Sequence, residues 1–191
     1  MNYRPALIAG FLLLIMLIPG CVGFSLVKKG ERVNVGGDMS VEAPRDWNRF
    51  TSPKLGYWTL DGPNLQHVLF VPGVEDGKAP WETTRESEKA PQFRKNMTAI
   101  EVRELVQATM SLEKYQKVQI TELKPARLAG HQGFTFHFSG TTSKGLDMRG
   151  RAIGAIVKGR LYMLLYRGAR LYYFDRGLED FEKIVTSTRI K

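Results

Sequence analysis

The hydrophobic positions fall into three patterns along the chain. Ala6 to Ile18 is an unbroken apolar run of 13 residues. From Met39 onward, short segments alternate apolar and polar residues in the two-residue period of a half-buried strand. Two later stretches instead repeat every three to four residues, as amphipathic helices do.

The strand-like segments begin with Met39-Ser40-Val41-Glu42, which ends at Pro44 with Trp47 just beyond. Gly56 to Leu60 follows and is stopped by Asp61-Gly62-Pro63, and Gln66 to Val71 is stopped by Pro72-Gly73. Strands separated by short Gly/Pro turns predict an antiparallel meander. Residues 73–96 are long, polar and irregular, the composition of a loop. Trp81 reads as the residue that pins this loop to the core, with a binding role as the alternative.

Residues 98–115 predict a helix. Thr98 and Glu101 have the spacing of a capping box, and Val102, Leu105, Val106, Thr109 and Leu112 share one face. Val118 to Leu123 predicts a strand ended by Pro125. Gln132 to Thr141 alternates most clearly: Phe134, Phe136 and Phe138 on one side, Thr135, His137 and Ser139 on the other. Leu146 to Val157 and Leu161 to Tyr166 predict a hairpin around Lys158-Gly159. Its second arm, LYMLLY, is apolar on both faces and predicts a central strand. Gly150 and Gly154 weaken the first arm and mark bulges or close helix packing. A last helix is expected from Leu178 to Thr186, with Leu178, Phe181, Ile184 and Val185 as its apolar stripe and Glu179 and Asp180 in its first turn.

The N-terminal run changes the picture from a plain domain to an exported one. Arg4 supplies a positive start, Ala6–Ile18 an apolar centre and Pro19-Gly20 a break, which is the order of a signal peptide. A bilayer-spanning helix needs about 20 apolar residues, so a permanent anchor helix fits poorly. Cys21 is the single cysteine, which excludes an intramolecular disulfide and a cysteine metal cluster. The segment Leu17-Ile18-Pro19-Gly20-Cys21 resembles the bacterial lipobox. The resemblance implies signal peptidase II recognition through Leu17, Ile18, Pro19 and Gly20. It also implies a diacylglycerol on the Cys21 thiol, cleavage before Cys21, and an acyl chain on the new amine. Pro19 departs from the small residue usual at its position. Val22, where an aspartate would retain a lipoprotein in the inner membrane, implies passage to the outer membrane, facing the periplasm. The expected organisation is a signal peptide over 1–20, a lipidated cysteine and tether over 21–37, and one globular α+β domain over 38–191.

Composition is that of an ordinary folded domain, 43% hydrophobic and 25% charged. Twenty-eight lysines and arginines stand against 19 acids, and removal of Arg4 with the signal leaves a net +8. An exported basic protein meets anionic lipid head groups and acidic envelope polymers rather than nucleic acid. Arg149, Arg151, Lys158 and Arg160 cluster around the hairpin as candidate anion-binding groups, and Lys28 and Lys29 follow the anchor.

Catalytic chemistry is not signalled. His67, His131 and His137 have no metal-ligand spacing, and there is no HExxH, GxSxG or P-loop. His137, beside Thr135 and Ser139, is a candidate base if Asp61 or Asp147 lies near, and otherwise a histidine on a polar sheet face.

The order of elements resembles the PsbP-like α/β/α sandwich, a superfamily with many uncharacterised bacterial lipoproteins. The features that carry this are Met39–Trp47, the mid-chain helix, Phe134–Phe138, the Tyr162 hairpin and the closing Phe181-Glu182-Lys183-Ile184-Val185. Trp58-Thr59-Leu60-Asp61-Gly62 and Leu161-Tyr162 are similar to segments of proteobacterial lipoproteins of unknown function. The resemblance implies an antiparallel sheet flanked by helices and a non-enzymatic binding or assembly-accessory role in the cell envelope. A hydrolase with an unrecognised site and a carrier of a small apolar ligand remain the alternatives. No cofactor and no metal are expected beyond the lipid on Cys21.

Overall fold

A computed structural model describes residues 23–51, 56–83, 90–113 and 115–191. The signal segment and the lipobox, Cys21 included, lie outside these residues. The strands are β1 (Phe24–Val27), β2 (Arg32–Gly36), β3 (Met39–Glu42), β4 (Trp47–Thr51), β5 (Gly56–Thr59) and β6 (Gln66–Val74). Helix α1 (Ala99–Leu112) follows, then β7 (Gln116–Leu128), β8 (His131–Thr141), β9 (Asp147–Val157), β10 (Arg160–Ala169), α2 (Tyr173–Ser187) and β11 (Arg189–Ile190).

Eight strands form one antiparallel sheet in the order β1-β4-β5-β6-β10-β9-β8-β7, and β11-β3-β2 form a small second sheet. The two-faced apolar arm is central: β10 lies between β6 and β9, and Leu161 to Ala169 are all buried. On one face, Val68, Phe70, Tyr162, Leu164 and Tyr166 pack with Trp47, Trp58, Met39 and Val41, and with Phe181 and Ile184 of α2. On the other, Leu69, Val71, Met163, Leu165 and Phe134, Phe136 and Phe138 pack against Val102, Leu105, Val106 and Met110 of α1, with Trp81 and Phe93. This is the expected α+β sandwich. Each fully buried large side chain contributes about 1.5–3 kcal/mol, so these two layers carry most of the stabilisation.

Helix α1 starts as its sequence requires. The Glu101 backbone N–H donates to Thr98 Oγ1 and the Thr98 N–H to Glu101 Oε2, closing the capping box. In the β9–β10 hairpin both turn residues take positive φ, Lys158 at 51° and Gly159 at 75°. Gly150 and Gly154 mark neither bulges nor helix packing but close contacts with neighbouring strands: a Cβ on Gly150 would lie 2.0 Å from Phe138 Cζ of β8, and one on Gly154 2.5 Å from Met163 Cγ of β10.

Four expectations are corrected. The segment expected as a tether, 21–37, is folded from residue 24: β1 is an edge strand of the large sheet and β2 pairs with β3. Strand β6 runs through Pro72-Gly73 to Val74, with a register irregularity opposite Leu161/Tyr162. Strand β7 continues past Pro125, because an edge strand has no partner that needs the missing N–H. Helix α2 begins at Tyr173, so Asp175, not Glu179 or Asp180, occupies the first turn. The Tyr166 hydroxyl donates to the carbonyls of Tyr173 and Phe174 there, tying the helix start to β10.

Candidate functional site

The residues singled out from the sequence do not converge. Arg149 lies over the Phe174 ring, 5.1 Å from its centre, and Arg151 pairs with Glu182 of α2. Lys158 sits in the turn, seven residues and about 23 Å of extended strand beyond Arg151. Arg160 pairs with Glu75 at 3.0 Å. Arg149 and Arg151 thus share the α2 face of β9, as residues two apart in a strand do, while Lys158 and Arg160 lie at the other end of the hairpin, and Arg149, Arg151 and Arg160 already have partners. His137 is half-exposed and 3.3 Å from Glu122. Neither acid expected beside it is there: Asp61 pairs with Arg176, and Asp147 with Arg170 and the Thr141 hydroxyl. Leu17, Ile18, Pro19, Gly20 and Cys21 fall outside the described residues. Among the described residues no group of three or more His, Cys, Asp or Glu side chains could hold a metal ion. No helix among them is long and apolar enough to cross a membrane.

The structure instead assembles a site from residues that sequence spacing does not connect. Position 67 in β6 and position 167 in β10 are register partners, and both side chains point to the α1 face. Arg167 Nε donates to His67 Nε2 at 2.6 Å, and Nη1 donates to Glu113 Oε2 at 2.8 Å. The other Glu113 oxygen accepts from the Trp81 indole N–H at 2.8 Å. Trp81 thus pins its loop, as expected, through both burial and this hydrogen bond.

The histidine tautomer follows from its neighbours. His67 Nδ1 lies 2.7 Å from the Pro63 carbonyl, which only accepts, and Nε2 faces a guanidinium, which only donates. Nδ1 therefore carries the proton and the ring is neutral. Burial, and then the Arg167 charge, hold its pKa well below the ordinary histidine value, against a smaller opposing effect of the Pro63 carbonyl. Burial by itself would lower the Arg167 pKa. The Glu113 carboxylate and Tyr115 together outweigh this and raise it, so the guanidinium stays charged. The side chains of Arg167 and Glu113 are only 9% and 16% exposed, so the pair is largely withdrawn from water.

His67, Glu113 and Arg167 of this network line an open cavity of about 600 Å³. Tyr57, Leu69, Tyr115 and Leu146 give it apolar surface, and Lys144 stands at its rim. The Arg167 guanidinium carbon lies 5.4 Å from the centre of the Tyr115 ring. Tyr57 packs on His67 at 5.5 Å between ring centres. The cavity lies at one end of the sheet. The space directly beneath α1 is filled by Val102, Leu105, Val106 and Met110, which argues against an apolar carrier cavity between helix and sheet.

Chemically, the network can orient a ligand rather than move a proton. Both nitrogens of His67 are committed, and Glu113 is bonded on both oxygens. A signal for this site was present in the sequence. His67 and Arg167 interrupt segments apolar on both faces, QHVLFV and LYMLLYRGA, and a charge buried in such a strand must be paired. That requirement identifies the residues but not their partners.

No protein-family model matches the sequence, and no curated protein matches it. Among solved structures, the cyanobacterial PsbP protein CyanoP from Synechocystis sp. PCC 6803 superposes with a TM-score of 0.54 at 12% identity, over 91% of this chain and 95% of that one. The fold is therefore PsbP-like. LpqN, involved in cell envelope biogenesis of Mycobacterium tuberculosis, gives a TM-score of 0.40 at 14% identity, over 88% of this chain and 90% of that one.

Proposed function

We propose that this chain is a bacterial lipoprotein, held to a membrane by acyl chains on Cys21, whose domain binds a ligand or partner in the cell envelope without transforming it. The observation that carries the binding reading is the Arg167–His67–Glu113 network in the cavity wall, held from behind by Trp81. It fixes a charged guanidinium in one orientation and commits both ring nitrogens of His67 and both carboxylate oxygens of Glu113. Orientation without proton transfer suits recognition. The address rests on the resemblance of Leu17–Cys21 to the lipobox, and Val22 supports an outer-membrane location facing the periplasm. Two or more acyl chains on one residue give stable anchoring, since each buried CH₂ contributes about 0.8 kcal/mol. Envelope proteins and anionic envelope components are the partners this reading admits, and nucleic acid is not among them.

In-cell photocross-linking tests the reading. A photoreactive residue at Leu146, on the cavity rim, is expected to give a discrete adduct that the same residue at Lys158, in the distant hairpin turn, does not give. Identical adduct patterns at the two positions, or none at either, contradict it.

A further inference from the structure

The cavity continues into a strip of aromatic rings. Phe24 and Phe50 are register partners in β1 and β4, Phe50 and Tyr57 in β4 and β5, and Tyr57 and Leu69 in β5 and β6. Directly opposed residues of an antiparallel pair point to the same face, so all four share the face of the cavity. Phe50 stacks on Tyr57 with 4.9 Å between ring centres, and Phe24 lies 5.6 Å from Phe50. The strip thus runs from Arg167 through His67, Tyr57 and Phe50 to Phe24. From β10 to β1 is four strand spacings in the sheet order, about 19 Å at about 4.8 Å each.

At its outer end Phe24 and Leu26 are 55% and 57% exposed, and they lie on the same face because they are two residues apart. Strand β1 begins three residues after Cys21, so this end of the strip is the end nearest the proposed lipid anchor. At the inner end, Arg167 donates to His67 and Glu113 and also hydrogen-bonds Tyr115, which engages three of its five N–H groups. The planar fork keeps further donors for a ligand, and Lys144 adds a second cation on the rim. Glu113 already offsets one positive charge, and Glu82 also lines the cavity. Among the described lining residues two positive and two negative charges therefore balance, so there is no positive surplus to hold a polyanion, and an acid group would be met by the directed N–H donors of Arg167 and Lys144 rather than by net charge.

We propose that this cavity binds an anionic amphiphile, with its single acid group on Arg167 and Lys144 and its apolar tail along Tyr57, Phe50 and Phe24. The proposal deepens the binding reading given above and rests on it. An acid group on a largely buried guanidinium makes charge-assisted hydrogen bonds about twice as strong as neutral ones. The rings offer a tail apolar contact without a new pocket having to open.

The test uses the full chain in nanodiscs of neutral phosphatidylcholine, photolabelled with a diazirine-bearing fatty acid and mapped by mass spectrometry. Laurate, lauryl phosphate, lauryl alcohol and dodecyltrimethylammonium serve as competitors with one common tail. Adducts are expected on Tyr57, Tyr115 and Leu146, and on Phe50 with longer-tailed labels. Laurate or lauryl phosphate is expected to compete at least about tenfold better than the alcohol or the cation, and the ratio of the two acids tells a carboxylate head from a phosphate head. Lys144→Glu, a change in an exposed turn that leaves the buried network intact, is expected to weaken labelling several-fold. Equal competition by the uncharged alcohol, unchanged labelling of Lys144→Glu, or adducts scattered over the surface overturns the ligand class. Discrete in-cell cross-links at Leu146 alongside such a failure leave the site standing as a binding site for something else.

Discussion

Replacing Glu113 by alanine removes one partner of a largely buried ion pair and strands the other. The Arg167 side chain is 9% exposed, and its charge loses the carboxylate 2.8 Å away. Breaking such a pair from one side costs about 3–5 kcal/mol. The open cavity admits water to the vacated space, which places the expected cost near the lower end, about 3 kcal/mol. The Trp81 indole also loses its acceptor, about 1 kcal/mol more if it stays dry. In a domain of this size each kcal/mol shifts Tm by about 2–4 °C, so Glu113→Ala is expected to lower Tm by roughly 6–12 °C. Urea unfolding of Glu113→Ala, Arg167→Met and the double variant measures the coupling directly. The double variant buries no unpaired charge, so its cost is expected to fall short of the sum of the singles by about 2 kcal/mol or more. A cost below about 1 kcal/mol for Glu113→Ala, or additivity within about 0.5 kcal/mol, refutes the view that this pair organises the cavity wall.

His67 gives the fold an acid-sensitive element. Its pKa is depressed in the folded state, so the unfolded chain binds the extra proton first. The stability associated with the neutral ring is complete above the unfolded value of 6.5 and is lost as pH falls below it. The expected slope is up to about 1.4 kcal/mol per pH unit between about pH 6.5 and 5. Urea midpoints across that range are expected to flatten in His67→Gln, and an unchanged slope in that variant removes His67 as the cause. Gly150→Ala tests the close packing of β8 on β9. Its Cβ would meet the Phe138 ring at 2.0 Å, and overpacking of this kind costs about 1–3 kcal/mol. Recovery of that loss in Gly150→Ala/Phe138→Leu is expected by thermal melting, and a neutral single variant contradicts the assignment.

The fold was legible where burial imposes a period. Phe134, Phe136 and Phe138 face the α1 core on alternate positions, and the doubly apolar LYMLLY is the centre of the sheet. It was illegible where strands are barely buried. In β1 only Val27 is buried, and in β4 only Trp47, so neither segment carries an alternating signal, and the first was read as a tether. Pro125 looked like a stop because sequence alone does not reveal that β7 is an edge. The site was harder still. Its hydrogen bonds span 100 residues from His67 to Arg167, 54 from Glu113 to Arg167 and 32 from Trp81 to Glu113. Only the completed sheet brings them together. The basic cluster that was visible, Arg149 to Arg160, is one cluster only in sequence: Arg149 and Arg151 share the α2 face of β9, but Lys158 and Arg160 lie at the far end of the hairpin.

The ligand, the partner and the orientation of the aromatic strip toward a bilayer all presuppose that this domain hangs from a membrane by Cys21. Metabolic labelling with a clickable fatty acid, comparing the wild type with Cys21→Ser with and without a signal peptidase II inhibitor, tests that most directly. Labelling that requires Cys21, with unprocessed precursor accumulating under the inhibitor, is the expected result. An unlabelled wild type, whether full-length or shortened, would contradict it.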